Sequence, residues 1–123
     1  CYCGLNGCIE SFLSGPGFTY IYNKTHSTSL STVEIVELSK KNDEKALQAL
    51  ESYVDRLARS LSDVINILDP DIVVLGGGMS NIDYIYKNIN KVLQKYVFSN
   101  EGYTKVLKNV HGDSGGVRGA AWL

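Results

Sequence analysis

Length, composition and charge limit the classes of protein to which this sequence can belong. Its 123 residues suffice for one modest hydrophobic core, and an apolar fraction of 44% is ordinary for a globular protein. The formal net charge of -1 offers no positive surface for nucleic acid or an anionic membrane, so we expect neither as a partner. No apolar run approaches the roughly 20 residues that a membrane-spanning helix needs.

The three cysteines lie together in the first eight residues, as Cys1, Cys3 and Cys8. Gly4 and Gly7 lie between them and allow turns tight enough for the sulfur atoms to converge. Thiolates are soft ligands that suit a tetrahedral structural zinc site, so we predict a zinc knuckle over residues 1–10. A disulfide framework is the alternative, but it needs an even number of cysteines in a secreted chain. Reduced, clustered cysteines point to the cytoplasm.

The predicted zinc site lacks one ligand. A closed structural site needs four, and His26 and His111 are the only histidines. The chain opens on its first ligand, and its single methionine is Met79. We therefore expect that a natural N-terminal portion, and the fourth ligand with it, lies outside this sequence.

Apolar spacing predicts helices in the first half of the chain. We predict short helices over 9–14 and 18–22, a break over 14–17, a polar loop over 23–31 that leaves His26 solvated, and a helix from Thr32 that ends in the run 40–42. Asn42 or Asp43 then caps the longest helix, whose apolar stripe runs from Ala46 to Leu68 and includes Val64. Because no polar group interrupts this stripe, we interpret it as core packing.

The second half of the chain is predicted to alternate between strands, glycine turns and helices. We predict a strand over 72–75 buried on both faces, a turn over 76–78, a helix over 82–97, a strand over 104–110, a turn over 111–116 and a helix over 117–123, with Asp83 and Asp113 as helix caps. The predicted fold class is therefore α/β.

Several motifs together resemble one family. The pattern Cys1-x-Cys3-Gly4-x-x-Gly7-Cys8-x-Glu10, the segments 10–15 and 69–78, and Arg118-Gly119-Ala120-Ala121 resemble the ROK family of repressors, open reading frames and sugar kinases. The resemblance implies an actin-like (ribonuclease H-like) sugar kinase fold. It makes residues 1–123 the C-terminal portion of one kinase domain and 69–123 its nucleotide-side lobe. In the family the fourth zinc ligand is a histidine shortly before the first cysteine, and the catalytic aspartate and phosphate loop lie in an N-terminal lobe that we expect outside this sequence.

The resemblance also implies roles for individual residues. Gly76, Gly77 and Gly78 would contact ATP, which carries Mg²⁺, although a triple glycine alone is as often a tight structural turn. Glu10 would bind hydroxyls of the sugar, with zinc as a structural support for it, whereas an acid at a helix start needs no function. His111 is most simply a hydrogen-bonded structural residue. Arg118 could contact phosphate or pair with an acid.

The function that the resemblance implies is transfer of the ATP γ-phosphoryl group to a hexose. The wording of segments 66–70 and 112–123 looks most like bacterial fructokinases, with N-acetylglucosamine kinase second. A sugar-responsive repressor of the same family and a freestanding zinc-binding module are the rivals from other classes. We expect no catalytic base in this chain and no activity from it alone. Members of the family commonly form homodimers, so the resemblance also implies a possible homodimer.

Overall fold

The computed structural model describes residues 1–98, 104–112 and 115–121, which divide into two compact units, 1–57 and 58–123. In chain order the helices and strands are α1 (Glu10–Leu13), α2 (Gly15–His26), α3 (Thr32–Lys40), α4 (Glu44–Leu68), β1 (Ile72–Leu75), a 3-10 helix (Gly78–Asn81), α5 (Asp83–Leu93), β2 (Lys105–Lys108) and α6 (Gly115–Ala120). Helix α4 begins in the first unit and ends in the second. The predicted α/β class is confirmed.

The break between the first two helices is a single residue. Ser14 has extended backbone angles, and its hydroxyl accepts a hydrogen bond from the Gly17 N–H at 3.0 Å, so it caps α2. Pro16 lies in the first turn of α2, where proline costs no hydrogen bond. The predicted break over 14–17 is therefore confirmed only at Ser14, and because α2 continues to His26 the predicted loop over 23–31 is wrong over 23–26. The connection to α3 is only 27–31.

Helices α3 and α4 begin as the sequence predicts. Ser31 and Glu34 form a reciprocal capping box at the start of α3. Asp43 accepts a hydrogen bond from the Ala46 N–H at 2.9 Å, which confirms it as the cap of α4. Most of the apolar stripe of α4 is buried between Ala46 and Ala58 and again at Ile65, but Val64 is 44% exposed and Leu68 is 70% exposed. Within the described residues the core-packing interpretation therefore does not hold at the C-terminal end of the helix.

The second unit contains a parallel two-stranded sheet. Strands β1 and β2 pair in register from Ile72 opposite Lys105 to Leu75 opposite Lys108, and α5 lies between them in the chain. Helix α5 contacts β2 and buries Ile85, Ile89 and Leu93. Within the described residues one face of β1 is open, with Ile72 50% and Val74 58% exposed, so the prediction of a strand buried on both faces is wrong here.

Other boundaries in the second unit also differ from the prediction. Helix α5 ends at Leu93, not at Val97, and α6 begins at Gly115. Asp83 is the first residue of α5, and among the described residues no side chain caps the start of that helix, so the prediction of Asp83 as a cap is wrong. The Asp83 Oδ1 atom lies 3.7 Å from the Lys108 Nζ atom. Asp113 and the last two residues lie outside the described residues. None of the helices in the described ranges is long and apolar enough to cross a membrane.

Candidate functional site

The three cysteine sulfur atoms converge as the glycine spacing predicts. All three lie within 4.8 Å of one another, and the Cys3 and Cys8 sulfurs are 3.4 Å apart. Gly4 and Gly7 adopt φ angles of +79° and +74°, which side chains rarely allow, so the loop depends on glycine at both positions. Residues 1–8 thus bring three soft donor atoms to one point.

This arrangement fits a tetrahedral zinc ion. Zn–S bonds of about 2.3 Å place the sulfurs of a tetrahedral site about 3.8 Å apart, close to the observed spacing. A hydrogen bond from the Leu5 backbone and another from Cys8 lower the pKa of the Cys3 thiol below its ordinary value of 9.0, which favours the thiolate that binds metal. No fourth His, Cys, Asp or Glu of the described residues joins the group, so these residues would supply three of the four ligands of such a site.

Glu10 follows the cysteine loop directly and begins α1. The Ser11 N–H and hydroxyl both donate to the Cys8 carbonyl, at 2.9 Å and 2.6 Å, so the loop and the helix form one hydrogen-bonded segment. The Glu10 side chain is exposed at this junction. A metal on the cysteines would therefore fix the backbone two residues from the Glu10 carboxylate.

The glycine turn lies at the carboxyl end of β1, in the second unit. Gly77 has φ +75°, and a Cβ atom built on Gly76, Gly77 or Gly78 meets no other atom of the described residues within 4 Å. All three residues are exposed. The turn therefore presents bare backbone beside open space, as a glycine loop that touches a ligand must.

Three polar residues around this turn were not predicted from the sequence. Ser80 donates its hydroxyl to the Gly77 carbonyl at 2.7 Å, and Asn109 donates to the Ser80 hydroxyl at 2.9 Å. Tyr86 donates to the Ser80 carbonyl at 2.8 Å. The one available signal was the position of Asn109 at the end of a predicted strand, since the carboxyl ends of parallel strands share one edge of a sheet.

The remaining candidate residues lie apart from these features. His26 ends α2, and its ring packs on the Tyr22 ring with centroids 4.7 Å apart, so the prediction of a solvated loop residue is wrong. The helical signal in the sequence was the spacing of Phe18, Tyr22 and His26, which repeat every four residues. His26 lines a cavity of about 240 Å³ in the first unit that includes none of the predicted site residues. His111 is exposed, and Arg118 is exposed on α6.

Comparison with known proteins identifies the family. The model of the ROK family matches residues 1–123, the whole chain. The chain belongs to the ROK family. An N-acetyl-D-glucosamine kinase of Vibrio vulnificus is 40% identical over 123 residues, which are 100% of the ROK chain and 41% of that protein. An N-acetyl-D-glucosamine kinase of Photobacterium profundum is 39% identical over the same shares. The ROK chain thus spans about two fifths of the length of these relatives.

Solved structures establish the fold of the ROK chain. A ROK family glucokinase from Streptomyces griseus, in complex with glucose and AMPPNP, superposes with a TM-score of 0.86 at 23% identity, over 98% of this chain and 45% of that one. A ROK hexokinase from Thermus thermophilus gives 0.83 at 24% identity, over 98% and 41%. A ROK family transcriptional regulator, a homologue of the E. coli MLC protein, gives 0.72 at 18% identity, over 88% and 30%. The ROK chain therefore has the α/β fold of the matching part of these structures, and the fold alone does not separate kinases from regulators.

Proposed function

We propose that this chain is the C-terminal part of an ATP-dependent hexose kinase, which transfers the γ-phosphoryl group of ATP to a hydroxyl of a sugar. The observation that carries the proposal is the glycine turn at 76–78, which leaves open space on its Cβ side. The names of the relatives at 39–40% identity support the same reaction class.

The nucleotide contacts in this proposal come from Gly76, Gly77 and Gly78. Their lack of side chains lets the backbone touch the adenosine part of ATP, and Mg²⁺ arrives with the phosphates. The base that activates the sugar hydroxyl and the loop that holds the β- and γ-phosphates come from the N-terminal lobe of the whole protein. In this division residues 1–10 form the zinc knuckle, residues 69–123 form the nucleotide-side lobe, and the chain alone is inactive.

The sugar contact in this proposal is Glu10. Its carboxylate accepts hydrogen bonds from sugar hydroxyls, and Cys1, Cys3 and Cys8 hold the zinc ion that fixes the loop before it. Zinc, when bound, supplies a structural cross-link. The hydrogen bonds from Ser11 to Cys8 support this coupling, because they join the loop to the helix that carries Glu10.

We propose N-acetyl-D-glucosamine as the first sugar to test, because the relatives that match over the whole chain are named for it. Fructose, which the wording of segments 66–70 and 112–123 favours, is the second. The protein is expected to act in the cytoplasm, where ATP and Mg²⁺ are available, and to form the homodimer that the family resemblance implies.

The test is ADP release by the whole protein with Mg²⁺ and each of N-acetyl-D-glucosamine, fructose, mannose and glucose, with the 123-residue chain as control. We expect turnover by the whole protein, highest with one of the first two sugars, and none by the chain. Turnover by the chain alone would contradict the division into two lobes. If the whole protein releases no ADP with any of the sugars and binds specific DNA that a sugar releases, the repressor is favoured.

A further inference from the structure

The glycine turn is attached to the neighbouring strand by one side chain. Because β1 and β2 are parallel and Leu75 pairs with Lys108, the two strands end at the same edge of the sheet. The chain continues from β1 into Gly76 and from β2 into Asn109. The residue after one strand therefore lies beside the turn after the other.

The Asn109 carboxamide reaches both sides of that turn. Its Nδ2 donates to the Leu75 carbonyl at 3.0 Å, just before the glycines, and to the Ser80 hydroxyl at 2.9 Å, just after them. The Asn109 backbone N–H also donates to the Leu75 carbonyl, at 3.3 Å. The Ser80 hydroxyl and backbone N–H in turn donate hydrogen bonds to the Gly77 carbonyl, at 2.7 Å and 3.0 Å.

The Oδ1 atom of Asn109 shows that the amide donors, and not this oxygen, hold the side chain in place. Within the described residues the buried Oδ1 of Asn109 has no hydrogen-bond partner, which is unfavourable for an acceptor out of water. Rotating the amide would not repair this, because Oδ1 would then face the Leu75 carbonyl, a second acceptor. Asn109 is therefore held in place by its two amide donors.

We propose that Asn109 is a positioning residue for nucleotide binding, which acts by holding the turn 76–78 in the conformation that meets ATP. This role rests on the proposed function. Three glycines in succession have the largest conformational freedom that a turn can have, and ordering them costs free energy. With Asn109 and Ser80 in place that ordering is part of folding, so ATP binding does not have to supply it.

The test compares three variants of the whole protein with matched chemistry. Asn109→Asp keeps the shape, removes both amide donors and adds a negative charge, so the uncharged Ser80→Ala must show the same loss. Asn88→Asp is the control, since Asn88 is likewise half-buried in the second unit and donates Nδ2 to the Tyr84 carbonyl at 2.9 Å, away from the turn. Ser80→Ala breaks the same link from the other side with a small change in volume, and it serves if Asn109→Asp does not fold.

Binding of a non-hydrolysable ATP analogue is measured by calorimetry, with KM for ATP and for the sugar and with thermal unfolding. We expect Asn109→Asp to raise the dissociation constant and KM for ATP about tenfold, an effect of the size of about one hydrogen bond lost from the support of the turn, and Ser80→Ala to raise them in the same direction. KM for the sugar should change less than twofold, and Asn88→Asp should bind the analogue like the unsubstituted protein.

Each other outcome decides between the two proposals. If the unsubstituted protein binds the analogue and a folded Asn109→Asp binds it equally well, the positioning role is overturned and the kinase proposal stands. Equal losses for ATP and sugar would also overturn it, because they indicate a general structural effect. If the unsubstituted whole protein binds no nucleotide, the kinase proposal fails and the positioning role fails with it.

Discussion

The Tyr53 hydroxyl donates a hydrogen bond to the backbone carbonyl of Leu13 across 2.9 Å, between residues 40 positions apart. Leu13 ends the short helix that Glu10 begins. The Tyr53 ring also meets the Phe18 ring edge-on, with centroids 5.7 Å apart, and is only 5% exposed. Tyr53 thus anchors α1 and α2 to α4, and through α1 it supports the position of Glu10.

Removing this hydroxyl should destabilise the protein modestly. Tyr53→Phe keeps the ring packing and leaves the Leu13 carbonyl without that donor, so we expect a loss of about 1 kcal/mol in the free energy of unfolding. Urea unfolding of the whole protein measures it. Tyr20→Phe is the control, because Tyr20 is 62% exposed on α2 and should change little. Equal stability of the two variants would contradict the anchoring role.

Gly17 allows α2 to pass close to the backbone of α1. A Cβ atom on Gly17 would lie 2.5 Å from the Ser11 carbonyl oxygen and 2.7 Å from its carbon. Because both are backbone atoms, the helices must shift, and we expect Gly17→Ala to destabilise the protein by about 1–3 kcal/mol. Gly119→Ala on α6, where a Cβ meets nothing within 4 Å, is the matched control in the same unfolding experiment. A neutral Gly17→Ala would show that α1 and α2 are not closely packed.

Substitution of the cysteines should weaken metal binding, whereas substitution of Glu10 should weaken sugar binding and leave metal binding unchanged. We expect the whole protein to retain about one zinc per chain after dialysis, and Cys3→Ser or Cys8→Ser to reduce that content because a tetrahedral site loses a ligand. Glu10→Gln should keep zinc but raise KM for the sugar. Metal analysis and steady-state kinetics measure both, and Tyr2→Phe, on a fully exposed side chain within the loop, is the control. Unchanged zinc in both cysteine variants would contradict the knuckle.

Alanine in the glycine turn should affect nucleotide binding more than stability. The Cβ sites of Gly76 and Gly78 are open and neither residue has a positive φ, so alanine should change the free energy of unfolding by no more than about 0.5 kcal/mol. KM for ATP should nevertheless rise, because the methyl group occupies the approach to the backbone. Gly77→Ala should also lose stability, since Gly77 has φ +75°. If Gly76→Ala and Gly78→Ala both leave KM for ATP unchanged, the turn is not the nucleotide contact.

The capping box of α3 predicts a defined dependence of stability on pH. The Ser31 backbone N–H and hydroxyl, each 2.7 Å from the Glu34 carboxylate, lower the pKa of that carboxyl below its ordinary 4.5. A lowered folded-state pKa means that the contribution is present above about pH 4.5 and is lost as the pH falls through the folded-state pKa. Glu34→Gln should therefore differ most from the unsubstituted protein near neutral pH and least in strong acid.

Unfolding free energies between pH 7 and pH 2 measure this difference. Glu37→Gln is the control, because the Glu37 carboxylate pairs with Lys40 at the surface, with half of its side chain exposed. A difference between Glu34→Gln and the unsubstituted protein that grows on acidification would reverse the predicted sign.

The sequence by itself determined those features that depend on neighbouring residues along the chain. The spacing of Cys1, Cys3 and Cys8 around two glycines predicted that their sulfurs converge, and the β-branched run at 72–75 predicted β1. The Asp43 cap and the long amphipathic helix after it followed from local signals as well. Each of these is set by backbone geometry over a few residues, so periodicity and capping chemistry suffice.

Only the tertiary structure decided which distant residues meet. The bonds from Tyr53 to Leu13 and from Asn109 to Ser80 join residues 40 and 29 positions apart, and nothing in the local pattern of either partner specifies the other. The same holds for Ile72 and Val74, whose exposure depends on what covers that face of the sheet in the described residues. Local sequence determines which elements form, but packing determines their contacts, because hydrophobic burial is not directional.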